Sequence, residues 1–324
     1  MKQPLLAMSL FLASFSVHAQ QEISYELSFP NAIHHEAEVT MKIPNVPAGP
    51  LKVRMSRSSP GRYATHEFGK NIYKFQAFDD QGKKLTVLQP AGDEYTIPSH
   101  GPSVKITYSL FGNWVDGTYA GFDENHAHMN IPATFAFPIG MDKRPRTVKF
   151  NMQDKLDWKV ATQLKPLENG VYYAPNFQYF MDSPIELSAY HSASWTVKNP
   201  DGKLQTIHLF SHSKDEQKTV ANFAEMLKVI VSEHMAVWGE LPVFDYGNYY
   251  FIHDVYPDYA GDGMEHRNST IIVQRTPKIA GFEAKLLGTF SHEFFHSWNV
   301  ERLRPKTLEP FNFEHSNVSD ELWL

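Results

Sequence analysis

Ser291-His292-Glu293-Phe294-Phe295-His296-Ser297-Trp298-Asn299, near the end of the 324-residue chain, is the stretch from which the rest is read. It contains His-Glu-x-x-His. On a helix, His292 and His296 stand four apart and stack on one face, one turn above the other. That spacing lets two imidazoles reach a single Zn²⁺ at about 2.0–2.1 Å each. Glu293 follows the first ligand directly, the place of the general base for water activated by the metal. A helix is expected because Phe282, Leu286, Phe290 and the Phe294/Phe295 pair recur near a 3.6-residue period. Pro305 marks its expected end, after Arg302 and Arg304, which suit a helix C-terminus. The chain has 16 histidines, so a chance pair on a helix without metal is the alternative reading.

Outward from this motif, the composition narrows the classes. The chain opens Met1-Lys2-Gln3-Pro4, runs apolar from Leu5 to Ala13, and closes with Val17-His18-Ala19. A basic start, a short apolar core and a small-x-Ala exit are the layout of a secretory signal peptide. Cleavage after Ala19 and export, to the periplasm or outside, are expected. The run is too short to span a bilayer core of about 30 Å, and no cysteine stands at the exit to carry a lipid. No stable membrane anchor is expected after cleavage. Cysteine is absent throughout, which excludes thiolate-ligated zinc and a cysteine nucleophile. The net charge is −6 and no basic block stands out, so nucleic acid is excluded as a partner.

From Glu22 to about Trp195, short alternating runs recur, among them Ile23–Phe29, Ala37–Ile43 and Val104–Phe111. Turn-forming clusters separate them. Period-2 runs without long helical patterns predict a sandwich. Near residue 210 the pattern changes. Asp215 to Trp238 carries a helical stripe of Phe223, Met226, Leu227, Ile230, Val231, Met235 and Trp238, closed by Gly239 and Pro242. The stripe reads as a core-facing helix rather than a site. Strands follow at Tyr249–Ile252 and Ser269–Gln274, flanking a Gly/Asp/Pro-rich loop from Asp254 to Gly263. The predicted fold class is α+β: a β-sandwich-like domain over 20–200, then the first part of a thermolysin-like (gluzincin) catalytic domain over 201–324, the second by analogy of element order.

Gly263-Met264-Glu265-His266 precedes the strand that leads to the motif helix. An edge strand there can pair with an extended peptide, and a carboxylate at its start meets the substrate near its N-terminus. Gly263, Met264, Glu265 and His266 are therefore the predicted substrate-binding residues, with Glu265 holding a free α-amine. A plain turn carboxylate is the competing reading of Glu265. His126 and His128 lie one residue apart on a strand and point the same way. Structural hydrogen bonding or cleft lining is preferred for them over a second metal site.

At this point the chain resembles the glycyl aminopeptidase family of zinc metallopeptidases. The resemblance rests on Ser59-Pro60-Gly61-Arg62-Tyr63 with His66-Glu67-Phe68 and Asn71, on Asp116-Gly117-Thr118-Tyr119, and on His126 through Asn130. Tyr179 through Pro184 and His292 through Pro305 complete it. It implies an N-terminal β domain, a thermolysin-like catalytic domain and aminopeptidase activity on small N-terminal residues. His292, Glu293 and His296 match the family's His, Glu and His, and Gly263 to His266 match its Gly-x-x-Glu-His element. The resemblance also implies a third zinc ligand, a Glu shortly after a Leu-Trp pair. Leu322-Trp323 is present and the sequence ends at Leu324, so that ligand, later helices and a PDZ domain are expected beyond it, and the chain is read as truncated. Glu314 and His315 are the weak local substitutes. Asn299 and Arg302 exclude the metzincin pattern, which needs Gly and His there.

Two functions compete at this stage. In the first, the chain is a zinc-dependent aminopeptidase, in which water acidified to a pKa of about 7 gives its proton to Glu293, which passes it to the leaving amine. In the second, it is an inactive fragment or peptide-binding module lacking one zinc ligand.

Overall fold

The computed structural model describes residues 22–317 and Ser319, apart from Tyr63, Gln153, Asp154 and Leu156. The expected signal segment and Leu322-Trp323, with Asp320 and Glu321, lie outside the described residues.

Strand Ile23–Asn31 alternates as its sequence predicts: Ile23, Tyr25, Leu27 and Phe29 are buried, and the residues between them face outward. It pairs with Glu36–Ile43 on one side and, in parallel, with Arg146–Asn151 on the other. These strands are the centre of an eight-stranded sheet. Two four-stranded sheets accompany it. One runs Lys159–Thr162, Ile185–Ser188, His126–Met129, Ala120–Phe122; the other runs Phe137–Pro138, Leu51–Arg54, Glu94–Ile97, Leu88–Ala91. The core between them is aromatic: Tyr25 stacks on Phe180 at 5.1 Å and meets Phe135 edge-on at 5.0 Å. The sandwich expected from the period-2 runs is the fold of this unit.

A second unit has one five-stranded sheet in the order His191–Lys198, Leu204–His212, Asn248–Val255, Ser269–Gln274, Asp262–His266. The middle three strands are parallel, and the two edges are antiparallel. His191–Lys198 belongs to this sheet, so the boundary between the units falls near residue 190, earlier than the expected 200. The strand alternates like its predecessors, and only its partner, Leu204–His212, shows which sheet it joins. The helix expected over 215–238 spans Gln217–Trp238 and buries Val220, Phe223, Ala224, Leu227 and Val231. Gly239 ends it in the left-handed conformation at φ +84°, its N–H returning to the Met235 carbonyl.

The motif helix spans Glu283–Phe295, with His296 as its cap. Leu286, Phe290 and Phe294 form its buried stripe. Phe290 meets Phe223 at 5.2 Å and Phe251 at 5.3 Å, and Phe294 meets Tyr249 at 5.0 Å. The helix stops well before Pro305. Val300 takes φ +83°, which a β-branched residue rarely adopts and which no helix tolerates. The chain turns back there, and Arg302 fastens the turn by donating to the carbonyls of Ser297 and Arg267. Arg302 and Arg304 therefore serve the turn rather than the helix end. No helix among the described residues is long and apolar enough to cross a membrane.

Candidate metal centre and substrate cleft

The buried stripe of the motif helix fixes which way its other faces point. With Phe290 and Phe294 against the sheet, His292 is exposed and His296 half-buried at the cleft. Their Nε2 atoms stand 3.2 Å apart. His296 Nδ1 lies 3.0 Å from the Asn299 carbonyl oxygen. That ring nitrogen donates, so Nε2 is left as a bare lone pair turned toward His292. Two imidazole nitrogens facing each other at this separation suit a shared cation, since tetrahedral zinc with bonds of about 2.0–2.1 Å sets its ligand atoms about 3.3 Å apart. The donor set fits zinc.

Glu293 is 6% exposed. Burial pushes its carboxyl up to about 8, Glu265 and Asp262 add to the rise, and Arg62 opposes it. A carboxyl held near neutrality suits a group that must take and return a proton. Strand Asp262–His266 is the edge of the five-stranded sheet, as an acceptor for a peptide requires. Gly263 lies so close to the Glu293 carboxylate that a Cβ there would overlap it. Glu265, 8% exposed, offers a carboxylate oxygen within 4.8 Å of ligand atoms of both Glu293 and His296. Among the described residues it pairs with no basic side chain.

Met264 and His266 are placed differently. Met264 is buried where added Cβ atoms at Gly61 and Gly117 would strike it, so both glycines allow the close approach of the two units. His266 is 1% exposed, and its Nδ1 lies 2.8 Å from Asp182 Oδ1. Its Nε2 is buried and has no hydrogen-bond partner among the described residues.

The β unit frames the cleft through residues of four stretches quoted above. Arg62 bonds Asp262 and donates to Thr118 Oγ1 at 2.6 Å. Gly117 N–H donates to Asp262 Oδ2 at 2.8 Å. Asn130 donates to Ser59 Oγ at 3.0 Å and to the Thr118 carbonyl at 2.6 Å. Asp182 accepts from the Arg267 N–H at 3.0 Å beside its His266 contact. These residues hold the edge strand against the motif helix. Asp262 was missed by sequence reasoning, although its place directly before Gly263 marked it.

The local substitutes for a third ligand lie elsewhere. Glu314 Oε2 is 2.6 Å from Arg54 Nη1 in the β unit, and His315 is exposed. Glu314 is thus engaged by the β unit, and neither residue joins Glu265, Glu293 and His296 in the group whose ligand atoms lie within 4.8 Å of one another.

Comparison with known proteins follows the same division. The family model described as the Peptidase M61 N-terminal domain matches residues 24–189, just over half of the chain. The model described as M61 glycyl aminopeptidase matches residues 285–324. No curated protein matches the chain. Among solved structures, an aminopeptidase N family protein from Idiomarina loihiensis superposes with a TM-score of 0.78 at 21% identity, over 93% of this chain and 52% of that one. Legionella pneumophila aminopeptidase A, solved in complex with aspartic acid, superposes with a TM-score of 0.50 at 16% identity, over 86% of this chain and 34% of that one. The likeness is one of fold. The chain spans about half the length of the first structure and about a third of the second.

Proposed function

We propose a function from one premise: the chain belongs to the M61 peptidase family, whose N-terminal domain model covers just over half of it. On that premise the protein is a zinc-dependent aminopeptidase acting on peptides with a small N-terminal residue, Gly or Ala. The observation that carries the reading is Glu265, a buried carboxylate without a cationic partner among the described residues, beside Glu293 and His296. A buried unpaired carboxylate is costly, and a substrate ammonium is the charge that relieves it.

His292 and His296, whose Nε2 atoms face each other, would hold the ion, and the Asn299 carbonyl fixes the ring of His296. When bound, zinc supplies Lewis acidity toward a carbonyl oxygen and makes water a nucleophile near neutral pH. Glu293 would take a proton from the attacking water and return it to the leaving amine. The free edge of Asp262–His266 aligns the peptide backbone, and Glu265 holds its α-ammonium, so cleavage falls after the first residue. The cleft beside Glu265 is walled by Pro60, Gly61, Val300, Leu308 and Phe311, with the charged Glu301 and Arg304 among them. The small-residue preference rests on the family resemblance. The third ligand belongs to this proposal as a Glu following Leu322-Trp323. Export completes it, and N-terminal sequencing of the secreted protein should begin at Gln20.

Glu293→Gln and His296→Ala test the assignment. Glu293→Gln should keep zinc by elemental analysis and lose kcat on alanyl and glycyl substrates by about three orders of magnitude or more. His296→Ala should lose the metal itself. Activity retained by the Gln variant rejects the proposed base.

A further inference from the structure

The face of the β unit's small sheet that carries His126, His128 and Glu186 packs on the face of the five-stranded sheet that carries His212 and Asp254. The seam around them is apolar, with Val115, Ala161, Tyr190, Ile252, Ile271 and Val273 buried together. Within it, one ligand atom each from His126, Glu186, His212 and Asp254 lies within 4.8 Å of every other. His126, Glu186 and Asp254 are at most 1% exposed. The four share no residue with the motif centre.

His128 shows what an ion pair looks like in this seam. Its Nδ1 is 2.9 Å from Asp254 Oδ2, and its Nε2 is 2.7 Å from the Asp116 carbonyl. Both ring nitrogens face acceptors, so both carry protons and the ring is an imidazolium. Its Nδ1 also approaches Glu186 Oε2, at 3.6 Å.

The other four atoms are spaced differently. His126 Nδ1 makes a long hydrogen bond of 3.3 Å to Glu186 Oε1. His212 Nδ1 lies 3.5 Å from Asp254 Oδ1 and 3.7 Å from Glu186 Oε1. Charge-assisted hydrogen bonds close to about 2.7–2.9 Å, as His128 does. The edges of a zinc tetrahedron are about 3.3 Å, from bonds of about 2.0–2.1 Å. Asp254 Oδ1 is fully buried, faces His212, and accepts no hydrogen bond among the described residues. A buried carboxylate oxygen left without a partner is a standing cost that a cation would remove. Tyr256 Oη, 3.3 Å from His212 Nδ1, and Asp123 Oδ2, 3.4 Å from His126 Nε2, close the rim.

We propose that His126, Glu186, His212 and Asp254 form a second metal site, for a divalent ion of the zinc class, which clamps the β unit to the five-stranded sheet. Two imidazoles among the donors favour that class over calcium or magnesium, which take oxygen ligands. Four protein ligands in a buried seam make a closed, structural site.

The test uses the full chain with the motif centre removed. In His292→Ala/His296→Ala, stripped with chelator and dialysed against Zn²⁺, one equivalent should remain bound. Co²⁺ should give the intense visible bands of a four-coordinate nitrogen–oxygen site, and Zn²⁺ should raise the thermal midpoint. His212→Gln, added to that background, removes one ligand and spares the His128–Asp254 pair. It should weaken Zn²⁺ binding by about two orders of magnitude and cancel the thermal shift. Should the background misfold, the intact chain carries the test: His212→Gln should lower its zinc stoichiometry by one. A folded background with no bound Zn²⁺, no Co²⁺ bands and no thermal shift overturns the proposal, and so does an intact chain whose zinc content His212→Gln leaves unchanged. The seam is then a charge-balanced imidazolium–carboxylate network.

Discussion

His292 and His296 stand one turn apart on a single helix, at the open edge of a cleft. His126, Glu186, His212 and Asp254 come from four strands in two units and are closed in by apolar side chains. The same donor chemistry thus appears twice, once with room for water and substrate and once without. An ion needs an open coordination position to do chemistry, and four fixed protein ligands to hold two sheets together. Exposure, more than donor type, separates the two centres. The surroundings follow suit: Gly263 leaves the Glu293 carboxylate unobstructed, whereas the seam crowds His212 with Tyr256 and His126.

The largest effect that tests this contrast is metal removal. A chelator reaches the exposed His292 directly, but reaches the seam only when the two units open locally. Activity should fall to background in a fast phase while one zinc per chain stays bound, and the second should leave slowly, together with a drop in thermal midpoint. Elemental analysis after timed desalting follows both phases. Activity and all zinc leaving together at one rate would break the contrast.

The two centres also differ in how far they can be read from the chain. His292, Glu293 and His296 are legible because a helix converts spacing in sequence directly into spacing in space. Strand Ile23–Asn31 and helix Gln217–Trp238 are legible for the same reason, their apolar periods being local. The seam depends on which sheets face each other. Glu186 between Ile185 and Leu187 was visible as a charge in a core strand, a signal that a partner is needed, whereas Asp254, expected to open a loop, lies inside strand Asn248–Val255. Which partner is not written nearby, because His126 lies 60 residues from Glu186, and His128 lies 126 residues from Asp254. The end of the motif helix was misread for a related reason. Val300 in a left-handed conformation is imposed by the Arg302 turn, a tertiary contact with Arg267.

Within the open centre, Gly263→Ala should come next in size. The added methyl overlaps the Glu293 carboxylate, so either the strand or the base must move. A displacement of about 1 Å in a positioned group costs about a hundredfold in rate. The loss should fall on kcat, with zinc content and thermal midpoint near wild type. Unchanged kcat would show that the strand gives way freely. Glu265→Gln should cost somewhat less, about tenfold to a hundredfold in kcat/KM, mostly through KM, because it removes the charge that holds the α-ammonium. It should also erase the preference for a free over an acetylated N-terminus. A variant that still rejects acetylated peptides would remove Glu265 from its proposed role.

Arg62→Lys should have the smallest effect, and it probes how the β unit governs the cleft. Arg62 spends its fork on two partners: Nε on Thr118 and Nη2 on Asp262 at the start of the edge strand. Lysine keeps the charge but presents one compact ammonium, so it can hold Asp262 or reach Thr118, not both in the same plane. The pair is only partly shielded, with side-chain exposures of 28% and 20%, so its loss is worth about 1 kcal/mol or less. Gly117 N–H still binds Asp262 from the same unit, so the strand keeps a second tether. The expected result is a fall in kcat/KM of about fivefold or less, shared between kcat and KM. The seam does not include Arg62, so zinc bound in a His292→Ala/His296→Ala background should be unaffected. A loss of that zinc in Arg62→Lys would mean that the two centres are coupled through the interface, and that the separation drawn between an open site and a closed one does not hold.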